Sequence, residues 1–270
     1  MKHLKITLFA LLMMISVTSC LEEKPLTDDP KGEGVQFDNM MQAFIDASGG
    51  LTPMNMKQGE FAVFRNYARV YTGAFQEQGY TAAQVLEVGG DSDTTIIDGN
   101  SYPIKKINTL VTHYLPVDPE NPDQIEIDPN VPQKEWKCEF VKPPYYLWLG
   151  ECELPPEQNF WVFHGLSVPQ DPIFFSLSKY KKKQKLPQKL IDEGRCYDFA
   201  NCEIDVTYLE FDLIIENNDG TTERRRYSVG LTSELPYLAS NVKTCFSTRI
   251  TINGTKHPVD ICQELVDFKP

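Results

Sequence analysis

Histidine, the side chain best suited to general acid–base catalysis and to metal binding, is scarce in this chain. The sequence holds four histidines, and those that follow residue 20 are His113, His164 and His257. None of them forms an HExxH motif or an i, i+4 pair, the patterns that bring two imidazoles onto one metal ion. We therefore predict no metal, no cofactor and no catalytic histidine.

One short segment suggests a hydrolase. The apolar stretch 160–163 ends in His164 and Gly165, which resembles the oxyanion loop of α/β-hydrolases. That family also requires a Gly-x-Ser-x-Gly nucleophile elbow followed by a helix. Residues 165–169 (GLSVP) lack the second glycine, and a proline there would obstruct the helix. We therefore interpret this segment as a buried strand.

Acidic residues cluster twice without matching a known calcium loop. An EF-hand needs glycine at its sixth position and glutamate at its twelfth. Counted from Asp91, those positions hold Ile96 and Tyr102. The acidic, proline-rich stretch 116–134 is typical of a solvated loop, because prolines oppose helices and central strands.

Cysteines offer a second kind of chemistry. Six follow Cys20, namely Cys138, Cys152, Cys196, Cys202, Cys245 and Cys262. An even number predicts three disulfides in an oxidising compartment, and six cysteines allow fifteen pairings. Pairing sequence neighbours gives 138–152, 196–202 and 245–262. No CxxC motif occurs, so zinc is the weaker alternative, and a catalytic free thiol is another.

The N-terminus carries an export pattern. Lys2 and Lys5 precede an apolar run, 6–15, and Val-Thr-Ser-Cys follows at 17–20. The run is too short to span a bilayer and fits a cleaved signal. The last four residues resemble the lipobox of bacterial lipoproteins. That resemblance implies a signal peptide over 1–19, lipidation of Cys20, and acylation of the new amino terminus. An ordinary secretory signal is the alternative.

The residues that follow fit a tethered envelope protein. Residues 20–36 combine the cysteine with a polar, proline- and glycine-containing segment, which predicts a flexible tether. Leu21 resembles an outer-membrane sorting signal. Removing 1–19 takes away two lysines and no acid, leaving 24 basic and 38 acidic residues, a net charge of −14. Such a charge argues against nucleic acid as a partner.

Periodicity predicts an α+β fold, mainly antiparallel β, as a sandwich or partly open barrel with an N-terminal helical layer. Apolar residues at helical spacing predict helices over 37–48 and 60–78. Alternation and turn residues predict strands from residue 81 onward, including hairpins within 94–107, 203–229 and 245–262. We expect one folded domain over 37–270, helical over 37–80 and β-rich over 81–270.

Two basic clusters interrupt the acidic chain. One contains Lys179, Lys181, Lys182, Lys183 and Lys185, and the other contains Arg224, Arg225 and Arg226. On a membrane-anchored protein, the lysines are candidate contacts for anionic lipid headgroups or lipopolysaccharide phosphates. The alternative is a solvated loop for the lysines and a charged edge strand for the arginines.

These patterns favour a non-enzymatic binding or structural module, anchored through its lipid in the bacterial envelope and expected at the outer membrane. An envelope protein or an anionic lipid is the expected partner. An envelope hydrolase acting on glycan or lipid is the first alternative, and it would use carboxylates with His164. A lipid or lipopolysaccharide handling protein is the second.

Overall fold

The computed structural model describes residues 37–70, 75–90, 93–97, 100–118, 121–141, 150–152, 160–163, 166–169, 173–196, 199–216, 222–252 and 255–270. Its helices are α1 (Phe37–Ala47) and α2 (Gln188–Asp192), with 3-10 turns at Pro53–Asn55, Ala200–Cys202 and Tyr237–Ala239. Its strands are β1 (Phe61–Val70), β2 (Phe75–Gly89), β3 (Thr94–Ile97), β4 (Asn100–Asp118), β5 (Asn121–Ile127), β6 (Lys134–Val141), β7 (Gly150–Cys152), β8 (Phe160–Phe163), β9 (Leu166–Pro169), β10 (Ile173–Lys185), β11 (Glu203–Glu216), β12 (Thr222–Leu231), β13 (Asn241–Ile252) and β14 (Thr255–Lys269).

The described strands form one large antiparallel sheet. Its order is β10-β11-β12-β13-β14-β1-β2-β4-β6-β7-β8-β9, and β3 and β5 pair with β4. Strands β10 to β14 follow one another as a meander, and β14 then pairs with β1. The first and last strands are therefore neighbours near the middle of the sheet. The strands at its two ends, β9 and β10, are consecutive in the chain.

The prediction of a mainly antiparallel β fold is confirmed, but the N-terminal helical layer is not. Helix is present over 37–47, whereas the helix predicted over 60–78 is wrong, because residues 61–70 lie in β1 and residues 75–78 lie in β2. Strand β1 lies between β14 and β2 and is buried on both faces, for example at Phe64 and Tyr67. A strand buried on both faces is apolar at most of its positions. It therefore also has apolar residues at the three- and four-residue spacing that predicts a helix.

Helix α1 covers one face of strands β11 and β12. Its buried residues Met40, Phe44 and Ala47 pack against Leu209, Phe211, Leu213, Tyr227, Val229 and Leu231. Phe44 meets Phe211 edge to face, with ring centroids 5.8 Å apart. Burying each large apolar side chain contributes about 1.5–3 kcal/mol. We call this side of β11 and β12 the helix-covered face.

The end of α1 agrees with the sequence prediction. The Gly50 N–H donates to the Ile45 carbonyl at 2.8 Å, and Gly49 has a φ of 66°. That left-handed conformation favours glycine, as at many helix ends. A Cβ at position 49 would also lie 2.3 Å from the Cβ of Ser233, so the glycine permits a close contact as well.

The acidic stretch 116–134 is more ordered than predicted. Strand β4 continues to Asp118, and β5 pairs with it through contacts such as Pro116 opposite Ile125. The prediction of a loop throughout this stretch is therefore wrong. Proline has no backbone N–H to donate to a neighbouring strand. It is tolerated here because β5 pairs only with β4 among the described strands, and the free side of an edge strand needs no such donor.

Candidate functional site: a polar face of the sheet

Polar and aromatic residues form a row across six neighbouring strands. The row consists of Tyr180 (β10), Tyr208 (β11), Gly230 (β12), Lys243 (β13), Glu264 (β14) and Arg65 (β1), each directly opposite the next. Directly opposite residues of an antiparallel pair project their side chains from the same face. We call these six residues the transverse row.

The transverse row lies on the face opposite α1. Successive residues of a strand point to opposite faces, and Leu209 of β11 packs under α1. Its neighbour Tyr208 therefore projects from the other side, which we call the polar face. Glu210 and Asp212 follow Tyr208 on this face at two-residue steps.

A tyrosine pair forms the outer end of the row. The rings of Tyr180 and Tyr208 are stacked, with centroids 5.2 Å apart and an interplanar angle of 11°. The Tyr208 hydroxyl donates to Gln184 Oε1 at 2.6 Å, and the Tyr180 hydroxyl donates to Glu210 Oε1 at 3.3 Å. Burial, followed by the charge of Glu210, raises the pKa of Tyr180. Its phenol therefore stays neutral and acts as a hydrogen-bond donor.

Gly230 allows the Tyr208 ring to lie against β12. A Cβ at position 230 would lie 2.9 Å from Tyr208 Cε1 and 3.2 Å from Val206 Cγ1. Burial raises the pKa of Tyr208 although the charge of Lys243 acts in the opposite direction. The ring thus connects the tyrosine pair to the charged half of the row.

The inner half of the row is a charged cluster around Tyr67. The Tyr67 hydroxyl donates to Glu264 Oε2 at 3.2 Å, and Lys243 Nζ lies 3.4 Å from the same oxygen. Lys243 Nζ and Arg65 Cζ lie 5.7 and 5.8 Å from the Tyr67 ring centroid. Lys243 therefore contacts one carboxylate, and both cations lie over one aromatic ring at distances typical of cation–π contacts.

Lys243 keeps its charge although it is half-buried. Burial alone would lower the pKa of Lys243, but its hydrogen bond to Tyr67 and the charge of Glu264 outweigh that effect and raise the pKa. The ammonium group is therefore protonated at neutral pH. It can donate hydrogen bonds but cannot act as a general base.

A second charged group on the polar face is centred on Asp212. Its carboxylate is buried and contacts Arg224 and Arg226. The Nε atoms of the two arginines lie 3.1 Å from Oδ2 and Oδ1 respectively. Two guanidinium groups share one carboxylate, and the Arg226 side chain is 70% exposed. This group therefore places two guanidinium groups around one buried carboxylate on the polar face.

A hydrogen-bonded chain that runs from β14 through β1 and β2 to β4 ends at a histidine. Gln263 donates to Asn66 Oδ1 at 3.3 Å, Asn66 donates to Thr81 Oγ1 at 2.8 Å, and Thr81 Oγ1 lies 3.2 Å from His113 Nδ1. Burial lowers the pKa of His113, partly opposed by the charge of Asp128. A hydroxyl beside a neutral imidazole is the basic unit of nucleophile activation.

Two of the predicted disulfides are confirmed. Cys196 pairs with Cys202 and Cys245 pairs with Cys262, with Cα–Cα distances of 5.2 and 4.1 Å. The second pair lies directly opposite across β13 and β14, on the same face as the transverse row. It covalently joins two strands that carry the charged cluster.

Other predicted positions have varied outcomes. Cys138 and Cys152 lie directly opposite each other on β6 and β7, as the third predicted bridge requires. Cys20 and His164 lie outside the described residues. His257 lies on β14, opposite Ile250.

The acidic residues between positions 91 and 98 and the lysine cluster have different outcomes. Asp93 pairs with Lys106 at 2.9 Å, while Asp91 and Asp98 lie outside the described residues. The lysine cluster is not a loop, because β10 extends to Lys185 as an end strand of the sheet. Within the described ranges, no group of three or more His, Cys, Asp or Glu residues is arranged to hold a metal ion.

Comparisons with known proteins give no relative: no family model, no curated protein and no solved structure matches this chain. Neither helix of the described part has the length and apolar character needed to cross a bilayer.

The transverse row is not predicted from the sequence. Its members come from distant parts of the chain, because Arg65 on β1 lies opposite Glu264 on β14, and the neighbouring Tyr67 is 197 residues from Glu264. Only the alternation of polar residues along β11 gave a local signal. The pairing of β14 with β1 is what brings the two halves together.

Proposed function

We propose that this chain is a lipid-anchored protein of the bacterial envelope that acts as a non-enzymatic binding module. The lipobox-like residues ending at Cys20 and the polar segment 21–36 support the anchor. The polar face supports the binding role.

The observation that carries the binding role is the transverse row. One side of β11 and β12 packs under α1, while the other presents stacked tyrosines, ion pairs and hydrogen-bond donors next to the buried Val206. Partly exposed ion pairs contribute only about 0–1 kcal/mol to stability, so stability alone does not account for the fixed charges on this face. Aromatic rings with a few fixed polar groups are typical of sites that recognise polar ligands.

The cationic side chains of the polar face define what it can recognise. The group on Asp212 contributes Arg224 and Arg226, and the cluster around Tyr67 contributes Arg65 and Lys243. Guanidinium groups bind carboxylate or phosphate oxygens through paired hydrogen bonds. The expected partner therefore presents acceptor oxygens.

Site-specific photocrosslinking in the full-length, membrane-anchored protein tests this role. A photoreactive residue at Ser228, which lies between Glu210 and Cys245 on the polar face, should give a discrete adduct. The same residue at Lys137, an exposed position of β6, is the matched control. The Ser228 adduct should weaken when Arg226→Gln is added. An adduct at neither position, or one indifferent to Arg226→Gln, would contradict the binding role.

A hydrolase is the second candidate, favoured by the contact between Thr81 and His113. The Thr81 hydroxyl accepts from Asn66 and is placed to donate to His113. Thr81→Val removes the hydroxyl while keeping the shape of the side chain. Loss of activity of the intact protein on a chromogenic ester in Thr81→Val, with the Ser228 adduct unchanged, would favour the enzyme.

A further inference from the structure

The end strand β10 carries a dense group of exposed lysines. Lys179, Lys181, Lys182, Lys183 and Lys185 are all exposed, and we call them the lysine edge. Four of them project from one face and Lys182 from the other, because strand residues alternate. From the first to the last, the strand extends roughly 20 Å. Both faces of the edge therefore carry positive charge.

Carboxylates neutralise only part of this charge. Lys179 Nζ lies 3.9 Å from Asp46, and Lys183 Nζ lies 3.5 Å from Asp205. Within the part of the chain that the structure describes, Lys181, Lys182 and Lys185 form no ion pair within 4.0 Å. Glu203 lies opposite Lys185, one strand inward. The outermost charges are therefore cationic, in a chain whose net charge is −12.

The lysine edge lies about one helix length from the point where the predicted tether joins the folded part. Helix α1 starts at Phe37, directly after the predicted tether, and Asp46 near its other end contacts Lys179. An 11-residue helix is about 16 Å long, and a flexible tether of about 16 residues spans roughly 20–25 Å. Together they span about 40 Å at most, so the edge stays within reach of the anchoring bilayer.

We infer that the lysine edge docks on the anionic, phosphate-bearing lipid headgroups of the membrane that holds the anchor. This inference rests on the proposed lipid anchor. Each lysine near an anionic bilayer contributes about 1 kcal/mol of attraction, which corresponds to roughly fivefold in the docking constant. Docking directs β10 toward the bilayer, so the transverse row runs away from the membrane, starting at Tyr180.

The competing explanation is that the lysines only prevent strand addition at an open edge. The two roles differ in their dependence on lipid charge. Protection against strand addition needs no membrane, whereas headgroup docking requires anionic lipid and weakens with salt.

Lysine footprinting on the full-length, lipidated protein tests the inference. The protein is reconstituted in vesicles of phosphatidylcholine alone or mixed with phosphatidylglycerol, and lysines are acylated with a water-soluble reagent and read by mass spectrometry. Lys181, Lys182 and Lys185 should be protected only in the mixed vesicles, and high salt should remove the protection. Lys134 and Lys137 should react equally in both. Equal reactivity of the lysine edge in both vesicles would overturn the inference.

A variant pair makes the test specific. Lys181→Gln, Lys182→Gln and Lys183→Gln together should lower the docking constant on the order of a hundredfold and expose Lys185. The matched control, Lys134→Gln with Lys137→Gln on exposed positions of β6, should leave Lys185 protected. Aggregation of the triple variant with Lys185 still protected would support the edge-blocking role instead.

A separate measurement tests whether the protein carries the lipid anchor. The mass of the native N-terminal peptide reports whether Cys20 carries lipid. If it does not, the anchor proposal fails. Co-sedimentation of the full chain with phosphatidylglycerol vesicles then measures whether the lysine edge binds anionic lipid without an anchor. If Cys20 is lipidated but the footprint does not depend on lipid charge, only the docking inference fails.

Discussion

The ring of Tyr208 lies against Gly230 of the neighbouring strand, at a distance that leaves no room for a side chain. The contact joins the tyrosine pair at the edge of the sheet to the charged cluster on β13, β14 and β1. Gly230 is thus part of the polar face, because the absence of a side chain at this position lets the Tyr208 ring pack against β12.

Replacing Gly230 with alanine tests this contact. The added methyl group would contact the Tyr208 ring and Val206, so Gly230→Ala should destabilise the protein by roughly 1–3 kcal/mol. Gly89→Ala is the matched control, because a Cβ there meets no atom within 4 Å. Urea denaturation of both variants measures the difference. Equal stability of the two would contradict the close contact.

The arginine pair on Asp212 predicts an asymmetry between variants. Removing Asp212 leaves two arginines that can turn toward solvent, because their side chains are 47% and 70% exposed. Removing both arginines leaves a buried carboxylate without its partners, which costs about 3–5 kcal/mol. We therefore expect Arg224→Gln with Arg226→Gln to be less stable than Asp212→Asn.

Urea denaturation at neutral pH measures this difference, with the unaltered protein as the reference. A double arginine variant that is no less stable than Asp212→Asn would contradict the account of this group.

His113 predicts a loss of stability in mild acid. Because burial lowers the pKa of His113 below the ordinary value of 6.5, the unfolded chain binds the proton more readily than the folded one. The stabilisation is fully present above pH 6.5 and is lost as the pH falls through the folded-state pKa. His113→Gln should flatten this part of the stability profile. An unchanged slope in His113→Gln would contradict the assignment.

The bridge between Cys245 and Cys262 predicts a stability difference that depends on loop length. It closes a longer loop than the bridge between Cys196 and Cys202, with sequence separations of 17 and 6. In the chain-entropy model the longer loop contributes about 3 kcal/mol, and the shorter one about 1 kcal/mol less. Thermal unfolding of the two double cysteine-to-serine variants measures this. A larger loss for the 196–202 pair would contradict the model.

Several elements could be predicted from sequence because their signals are local. The two strands β11 and β12 alternate clearly and flank a turn-forming segment, and the bridge between Cys245 and Cys262 joins adjacent strands of one hairpin. Each confirmed element of this kind is formed by residues that are close in the chain. Local alternation and turn chemistry are therefore sufficient to identify them.

The errors and omissions have a common physical cause. Strand β1 was mistaken for a helix because both of its faces are buried, which depends on pairing with β14 nearly two hundred residues later. The same pairing creates the charged cluster of Tyr67, Lys243 and Glu264. Register between distant strands is decided by tertiary packing, so no local pattern could have predicted this part of the polar face.

The most direct test of the whole account is lipid labelling of position 20 in the native host. Full-length protein grown with radiolabelled palmitate should be labelled and should sediment with membranes. Cys20→Ala should lose the label and leave the membrane fraction or remain as precursor, while Ser19→Ala, which keeps a small residue, should behave like the unaltered protein. A label that persists in Cys20→Ala would contradict the anchored binding protein described here.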